Sequence, residues 1–444
     1  MMKRLSILLI TILLLFELSA CGGAGLPRVL TQVSPLPSAT PWPTLDAERK
    51  AQYLEIFDAA WQEVNDLYFD PTFNGKDWKA IREQYRSQMA VVKDDEQALY
   101  VILDMLFELG VSHLAALPTS MANQVEPIAT ASGWAGLDLR LLEGQMVVTR
   151  VAVGSSAEQA GLQPGDVITS VNGKPVKEIY QEGLQTPPYN ERNQKGNKAY
   201  KILQMVYGDI GKVVEIGYLD GKWRPGRVAL ELAKRPGKLE EGLEGLPSMY
   251  TEVVAYEIQD GVGYLRFSAF LPGVLEEVLA AIEQFRDTPA LIIDLRGNPG
   301  GVFPVRKAIA EVLVGEPVLY FKYRTRGGIE NVYLERVANP YRGELVILID
   351  ELSASSSEEF SGGMQSIGRA TIIGNQSPGR CLAADIRPLP NDFILIIPTR
   401  QSQTPDGNVL EDNGVTPDIV VLLERQKLMQ GIDTQLEAAL QYLR

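Results

Sequence analysis

Histidine and cysteine are almost absent from this chain of 444 residues. The single histidine, His113, excludes any metal site built from several histidines. The two cysteines, Cys21 and Cys381, are too few for a zinc site with three or four cysteine ligands. If Cys21 carries a lipid, Cys381 has no disulfide partner. We therefore expect no structural disulfide, no metal ion and no other cofactor.

Positive charge is also in short supply. The chain has 42 lysines and arginines against 56 aspartates and glutamates, a formal net charge of −14. This acidic balance disfavours nucleic acid and anionic membrane surfaces as partners. The rest of the composition, 45% hydrophobic and 22% charged, is typical of a globular protein. The length predicts two or three domains.

Long apolar runs are lacking except near the N-terminus. Lys3 and Arg4 precede an apolar run over residues 5–16, which is short for a membrane span and has the layout of a signal peptide. Leu-Ser-Ala-Cys follows at 18–21 and resembles a bacterial lipobox. The alternative is an ordinary signal peptide with an incidental cysteine. We expect an extracytoplasmic protein that is anchored to the bacterial cell membrane through lipidated Cys21.

The pattern along the chain predicts five segments. They are the lipoprotein signal peptide (1–21), a tether rich in Pro, Ser and Thr (22–45), a helical domain (46–126), a domain of short strands (127–234) and a C-terminal domain (235–444). In the helical domain, apolar residues at helical spacing run from Tyr53 to Leu67. Two more helices are expected over 78–89 and 95–109, followed by an irregular segment around His113.

The fourth segment resembles bacterial PDZ domains. The resemblance rests on the run from Ser155 to Ile168, which contains Pro-Gly-Asp-Val-Ile, and on the tight turn at Asn172-Gly173. It implies that a peptide C-terminus is captured as an added strand. The carboxylate would meet the backbone near four consecutive residues, Trp134, Ala135, Gly136 and Leu137. Residues 177–194 are expected to form an insertion loop.

The last segment alternates strands and helices, as α/β proteins do. A fully apolar strand over 345–349 leads through Ser353, Ala354 and Ser355 into a helix. A serine at such a junction lies beside free backbone N–H groups, which suits a nucleophile. The same position suits a helix N-cap, and the local pattern favours the cap.

Ordered motifs in this segment change that balance. They are Asp-Leu-Arg-Gly-Asn-Pro-Gly-Gly at 294–301, Ser-Ala-Ser-Ser-Ser-Glu at 353–358 and Gly-Val-Thr-Pro-Asp at 414–418. Together with the helical segment and the PDZ-like run, they resemble the C-terminal processing (tail-specific) protease family, including its tricorn-type branch. The resemblance implies an α/β protease core of mixed strands and helices, crotonase-like, with an N-terminal helical segment and an inserted PDZ domain.

The resemblance also implies a nucleophile, Ser355, with Ser353, Ser356 and Ser357 as nearby rivals. Many family members place a lysine base where this chain has Arg380, and a guanidinium stays protonated. This chain therefore departs from the serine–lysine branch at the residue on which that chemistry depends.

The tricorn-type branch uses a histidine preceded by a serine, and Glu-Leu-Gly-Val-Ser-His at 108–113 resembles that pattern. The implied general base is His113, with Ser112 and Glu411 as orienting groups. Asp406 and Asp412 remain rivals for the acidic role. Histidine suits a base because its pKa lies near working pH.

The oxyanion hole implied by the resemblance uses backbone N–H groups of Gly300, Gly301 and Ser356. The alternative for the glycine pair is a simple strand-to-helix turn. Asp294 and Arg296 are expected to be structural, and Cys381 is expected to be incidental.

The leading hypothesis is a serine endopeptidase that cleaves extracytoplasmic proteins or peptides with accessible C-termini, captured by the PDZ domain. The missing lysine motivates a second hypothesis, an inactive or weakly active homologue that binds peptides as a scaffold. A third is a protease that its PDZ domain holds inactive until a ligand arrives.

Overall fold

The computed structural model describes residues 45–122, 127–183, 191–241 and 248–444. The predicted lipobox, Cys21 and nearly all of the tether lie outside these residues. Among the described helices, none combines the length and the hydrophobicity needed to cross a membrane.

Three helices open the described chain, and each begins at an aspartate. The carboxylates of Asp46, Asp77 and Asp94 accept backbone N–H groups of the first turn at 2.8–2.9 Å. The third helix ends at Phe107, two residues before the predicted Leu109. The elements of this region are α1 Ala47–Leu67, α2 Trp78–Met89, α3 Asp95–Phe107, β1 Ala115–Pro118, α4 Thr119–Ala122 and α5 Pro127–Thr130.

A six-stranded antiparallel sheet with a long helix beside it forms the next region. The elements are β2 Gly133–Trp134, β3 Leu137–Leu142, β4 Gln145–Val151, α6 Ser156–Gln159, β5 Val167–Val171, β6 Lys174–Pro175, α7 Val176–Gly183, α8 Glu191–Met205, β7 Tyr207–Gly208, β8 Val213–Leu219, β9 Pro225–Glu231 and β10 Ala233–Lys234. The sheet order β3-β4-β5-β8-β9, in which β6 pairs with β5 beside the main path, leaves β3 at an edge, next to α8. The predicted insertion loop at 177–194 is wrong in part, because α7 and the start of α8 lie within it.

The remaining chain forms the α/β core. Its elements are β11 Lys238–Glu240, β12 Met249–Thr251, β13 Val253–Ile258, β14 Val262–Phe267, α9 Pro272–Gln284, β15 Ala290–Asp294, α10 Phe303–Val314, β16 Val318–Thr325, β17 Gly328–Leu334, β18 Glu344–Ile349, α11 Ser356–Ser366, β19 Thr371–Gly374, β20 Leu382–Leu389, β21 Phe393–Gln403, β22 Ile419–Val420, α12 Arg425–Leu428 and α13 Thr434–Tyr442.

The main sheet of this core runs β13-β14-β15-β18-β19-β22, and every pair except β13–β14 is parallel. Residues 345–349 are buried on both faces, as a continuous apolar run predicts. Because β15 and β18 are parallel neighbours, their carboxyl ends meet at one edge of the sheet. The loop that begins at Leu295 and the turn at Ser355 therefore face each other there.

A second sheet links the N-terminal helices to the core, through a strand that the sequence pattern does not reveal. β1 pairs antiparallel with β21, in a sheet ordered β1-β21-β16-β17 with β20 also beside β21. The hydrophobic core of α1–α3 includes Leu395 and Ile397 of β21. The three helices are thus part of a shared core, and His113 lies two residues before β1 of this second sheet.

A buried ion pair joins α10 to α11, the helices that follow the glycine pair and Ser355. The side chain of Arg306 is 0% exposed and that of Glu359 is 8% exposed, and their charged groups are in direct contact. Arg306 also donates to the hydroxyl of Tyr323 at 2.8 Å. A buried charge without its partner is strongly destabilising, so this pair fixes the spacing of the two helices.

We expect Arg306→Met to lower the free energy of unfolding by about 3–5 kcal/mol, because it leaves the Glu359 carboxylate buried and unpaired. Adding Glu359→Gln in the same chain restores most of the loss. Urea unfolding of the full chain measures both. Arg336→Met is the control: this exposed arginine pairs with Glu316 at 2.8 Å, and its loss is expected to cost less than about 1 kcal/mol. Equal losses for Arg306 and Arg336 contradict the assignment.

Candidate active site

Ser355 occupies a strained turn between β18 and α11. Its φ of 54° and ψ of −118° lie outside the regions that non-glycine residues favour. Its N–H donates to the carbonyl of Arg380 at 3.0 Å and to the carboxylate of Glu358 at 3.1 Å. Strain of this kind costs about 1–3 kcal/mol and persists where surrounding contacts over-determine the backbone.

The neighbouring serines are committed to the backbone. Ser353 donates to the carbonyl of Leu295 at 2.8 Å, Ser356 to that of Gly301 at 2.7 Å and Ser357 to that of Asn298 at 2.9 Å. The hydroxyl of Ser355 donates to no group in the described part of the chain. Of the four serines, Ser355 is therefore the one whose hydroxyl is available.

Glu358 is a residue whose role the sequence reasoning missed. Besides the Ser355 N–H, its buried carboxylate accepts the hydroxyl of Ser377 (2.6 Å) and the N–H groups of Gly379 (2.7 Å) and Arg380 (2.9 Å). Burial raises the pKa of Glu358 to about 7. The signal in the sequence was its place three residues after Ser355, where a glutamate reaches back to the start of a helix.

Ser112, His113 and Glu411 form a hydrogen-bonded row. The hydroxyl of Ser112 lies 2.7 Å from Nδ1 of His113 and donates to Oε2 of Glu411 at 2.9 Å. The backbone N–H of Ser112 donates to Oε1 of Glu411 at 2.8 Å. His113 has a φ of 56°, a second strained position. Three of the four residues of the expected tetrad are in contact, although 299 positions separate Ser112 from Glu411.

The environment lowers the pKa of His113 to about 4, first through burial and then through the positive charge of Arg380. Burial raises the pKa of Glu411 to about 7. The imidazole is therefore neutral at neutral pH and holds a lone pair for a proton. Of the two ionisable groups in this row, His113 and Glu411, only Glu411 has a pKa near neutrality.

Residues 380 and 381 connect this row to Ser355. The carbonyl of Arg380 accepts the Ser355 N–H, while the N–H of Cys381 donates to Oε2 of Glu411 at 2.7 Å. The buried Sγ of Cys381 lies 3.7 Å from the Ser355 carbonyl oxygen. Within the described ranges, no hydrogen bond joins His113 to Ser355 directly. The guanidinium of Arg380 turns to Asn197 of α8.

The rival acids occupy other positions. Asp406 accepts the hydroxyl of Ser366 at 2.9 Å and contacts the hydroxyl of Thr404. Asp412 follows Glu411, and its N–H donates to the carbonyl of Gly379 at 2.8 Å. Glu411 is the acid that contacts Ser112. The acids Asp294 and Asp433 both bind Arg296 at 2.7 Å, in an ion-pair network beside the main sheet.

The glycine pair lies against the Ser355 turn. Gly300 has a φ of +105°, and a Cβ there would come within 2.8 Å of both the Ser355 Cβ and the Ser356 N. The N–H of Gly300 donates to the side chain of Asn298 at 2.9 Å. The bonds from Phe270 N to Gly300 O and from Val302 N to Phe270 O leave the Gly301 N–H facing away from Phe270. In the described part of the chain, the N–H groups of Gly301 and Ser356 have no acceptor.

Asp350 joins this loop to the strand-rich domain. Its buried carboxylate accepts the N–H groups of Gly297 and Leu352, each at 3.0 Å. It also pairs with the buried guanidinium of Arg140 on β3 at 2.6 Å. The loop before Ser355 is thus held by the loop at Gly297 on one side and by the edge strand β3 on the other.

The expected peptide-binding residues lie at the start of that edge strand. The N–H of Ala135 donates to the carbonyl of Val206 at 3.0 Å, and the indole N–H of Trp134 donates to the carbonyl of Leu137 at 3.3 Å. Gly136 has a φ of +87°, and a Cβ there would overlap Ser155. One of the backbone groups expected to receive a peptide, the Ala135 N–H, is therefore engaged within the domain.

Comparison with known proteins reveals the relationship. Residues 261–421 match the model of peptidase family S41, residues 147–183 match a PDZ domain and residues 49–107 match the tricorn protease C1 domain. A carboxyl-terminal-processing protease of Synechocystis sp. is 26% identical over 393 residues, which span 86% of this chain and 85% of the relative. Residues 261–421 thus form a peptidase S41 domain, and the chain as a whole is similar to carboxyl-terminal-processing proteases.

Other relatives of this S41 peptidase agree. The chloroplastic C-terminal processing peptidase of Tetradesmus obliquus is 27% identical over 388 residues, covering 82% of this chain and 76% of the relative. The photosystem II D1 C-terminal processing protease has the same fold, with a TM-score of 0.58 and 22% identity over 88% of this chain and 97% of that structure. The expected fold class is confirmed: a mixed α/β S41 fold with an N-terminal helical region and a PDZ domain.

We expect Gly300→Ala to lower kcat/KM of the S41 peptidase by about 100-fold, since the new Cβ displaces the Ser355 turn and the Ser356 N–H. Cleavage of an unstructured protein measures the effect. The matched control is Gly407→Ala, whose φ of +96° is similar but where nothing lies within 4 Å of the added Cβ. This control carries the backbone strain without the crowding. Similar activities in the two variants contradict the close-approach role of Gly300.

Proposed function

We propose that this S41 peptidase is a serine endopeptidase with Ser355 as nucleophile and His113 as general base. The observation that carries the proposal is the row Glu411–Ser112–His113, which adjoins the strained Ser355 turn through residues 380–381. Arg380 offers no base, and His113 is the single histidine of the chain.

The row determines which ring nitrogen of His113 carries the proton. When Glu411 is ionised, its carboxylate accepts a hydrogen bond from the Ser112 hydroxyl. The oxygen of Ser112 is then free to accept a hydrogen bond itself. His113 then donates from Nδ1, and the lone pair lies on Nε2. Nε2 is the nitrogen that a serine–histidine mechanism uses to take the nucleophile's proton.

In the first step, the oxygen of Ser355 attacks the peptide carbonyl carbon while its proton moves to Nε2 of His113. The carbonyl electron pair moves to oxygen, and the N–H groups of Gly301 and Ser356 are positioned to stabilise that charge. The oxyanion then re-forms the carbonyl, the peptide C–N bond breaks as the leaving amine takes the proton from His113, and an acyl group remains on the oxygen of Ser355. Water, deprotonated by His113, releases the acyl group and restores Ser355.

The lack of a direct hydrogen bond between His113 and Ser355 in the described ranges is compatible with this chemistry, because catalytic hydrogen bonds often tighten only when substrate binds. The PDZ domain supplies a means to hold a substrate tail, since β3 is an open sheet edge beside α8. We propose that the signal peptide and lipidated Cys21 place the enzyme outside the cytoplasm, on the membrane.

We expect Ser355→Ala and, separately, His113→Ala to lower kcat for cleavage of an unstructured protein by at least about 10³-fold, as when one member of a catalytic unit is lost. Arg380→Ala serves as the comparison that tests the lysine-type alternative, and it is expected to retain measurable cleavage. Undiminished proteolysis in either of the first two variants sinks the proposal.

The pH profile tests the role of Glu411. Because protonation of Glu411 below about pH 7 reverses the hydrogen bond from Ser112, kcat/KM is expected to rise with pH around 7 and not around 4. In Glu411→Gln the activity is lower, and the rise near pH 7 is lost. A profile that rises only near pH 4, or one that Glu411→Gln leaves unchanged, contradicts the role.

A second candidate function is a peptide-binding scaffold, which Arg380 at the usual lysine position favours. In that case, a serine-directed covalent reagent leaves Ser355 unlabelled while C-terminal peptides still bind. Stoichiometric labelling of Ser355 excludes the scaffold.

A further inference from the structure

A cavity of about 190 Å³ lies between the PDZ domain and the protease core. The PDZ side includes Trp134 of β2, Tyr200 of α8 and Arg150 of β4. The protease side includes Arg266 of β14, the loop Gly297–Pro299 and Leu352. The cavity therefore lies beside the open edge of β3 and is bounded by the loops that flank the Ser355 turn.

Five arginines line this cavity, against two acids, Asp138 and Glu252. Arg150 lies 2.7 Å and Arg266 3.4 Å from a single carboxylate oxygen of Asp138, so two guanidinium groups share one acid. Glu252 is the other acid of the lining, and it contacts neither of these arginines in the described structure. Two further arginines of the lining, Arg140 and Arg296, are paired with aspartates outside the cavity.

Arg235 is the arginine of the lining that has no ion pair. Its guanidinium lies 5.0 Å from the centre of the Tyr207 ring and 5.1 Å from that of Tyr250. It donates from Nη1 to the carbonyl of Ile128. No carboxylate lies within 4 Å of Arg235 anywhere in the described ranges, and burial lowers its pKa below the ordinary value.

This arrangement leaves Arg235 poised for an in-plane acceptor. A guanidinium has five N–H donors in one plane, and among the described residues only Nη1 of Arg235 has a hydrogen-bond acceptor. The two aromatic faces keep the group desolvated, which strengthens a charge-assisted hydrogen bond to an anion. Among the lining groups that are not paired with acids outside the cavity, the three arginines Arg150, Arg235 and Arg266 share two acids, Asp138 and Glu252.

We propose that this cavity binds a carboxylate at the end of a captured peptide tail, and that Arg235 is the residue that recognises it. The inference rests on the proposed capture of tails by the PDZ domain. A tail added along β3 runs beside Trp134, which lines the cavity. The carboxylate is either the α-carboxylate of the tail or the side chain of an acidic residue near its end, since both offer the same planar acceptor.

The experiment measures binding of labelled ten-residue peptides to the full chain carrying Ser355→Ala, which prevents cleavage. Two of the peptides share one neutral sequence, the first as the free acid and the second as the amide. The third is the same amide with glutamate as its last residue. We expect Arg235→Met to weaken at least one carboxylate-bearing peptide by about tenfold or more and the neutral amide by less than about twofold. The peptide affected identifies the source of the carboxylate.

The matched control is Arg227→Met, an exposed arginine of β9 whose side chain is 77% exposed and which lies outside the cavity lining. It is expected to leave all three affinities unchanged. Arg235→Lys is expected to recover part of the affinity while keeping the thermal midpoint of the parent, which separates recognition from folding. Equal weakening of all peptides by Arg235→Met, no weakening, or no binding of any peptide to the parent overturns the inference.

The experiments distinguish a failure of the Arg235 inference from a failure of the proposed catalytic function. Cleavage that depends on Ser355, without discrimination by Arg235, rejects the cavity alone. Binding that depends on Arg235, in a chain whose Ser355 neither reacts nor cleaves, rejects the catalytic proposal alone.

Discussion

The candidate site depends on the hydrogen bonds that the carboxylate of Glu411 accepts. This carboxylate takes the N–H and the hydroxyl of Ser112 from the N-terminal region, and the N–H of Cys381 from the turn that supports Ser355. Its hydrogen bonds link the segment that carries His113 to the segment that supports Ser355. The arrangement also has a cost, since burial of the carboxylate raises its pKa to about 7. Three donors offset much of that desolvation.

Much of this architecture was predictable from the sequence, and the reason is that the signals are local. The apolar run at 345–349 predicts a buried strand because both faces of that strand are covered. The four serines and the glutamate at 353–358 fit one turn and one helix start. The PDZ-like run likewise lies within a single compact domain, where neighbouring residues decide the turns.

What the sequence did not reveal depends on contacts between distant segments. β1 has no recognisable pattern, because its four residues become a strand only through pairing with β21. The role of Glu358 as acceptor for a segment near Ser377 and Arg380 depends on the same long-range packing. The Gly300 N–H was expected to face the substrate, yet the adjacent Asn298 takes it, since rotamer choice within a loop has no periodicity to read.

The loop Asp350–Leu352 has a further consequence, because two sites share it. It forms part of the cavity wall through Leu352, it is tied to β3 by the Arg140 pair, and it leads directly to Ser355. Binding free energies that act on one element are reciprocal. If a tail in the PDZ groove shifts this loop toward a reactive geometry, then an acyl group on Ser355 must tighten the tail by the same factor. The enzyme would then release a processed tail slowly while the acyl bond lasts. Hydrolysis of that bond would speed the dissociation of the tail.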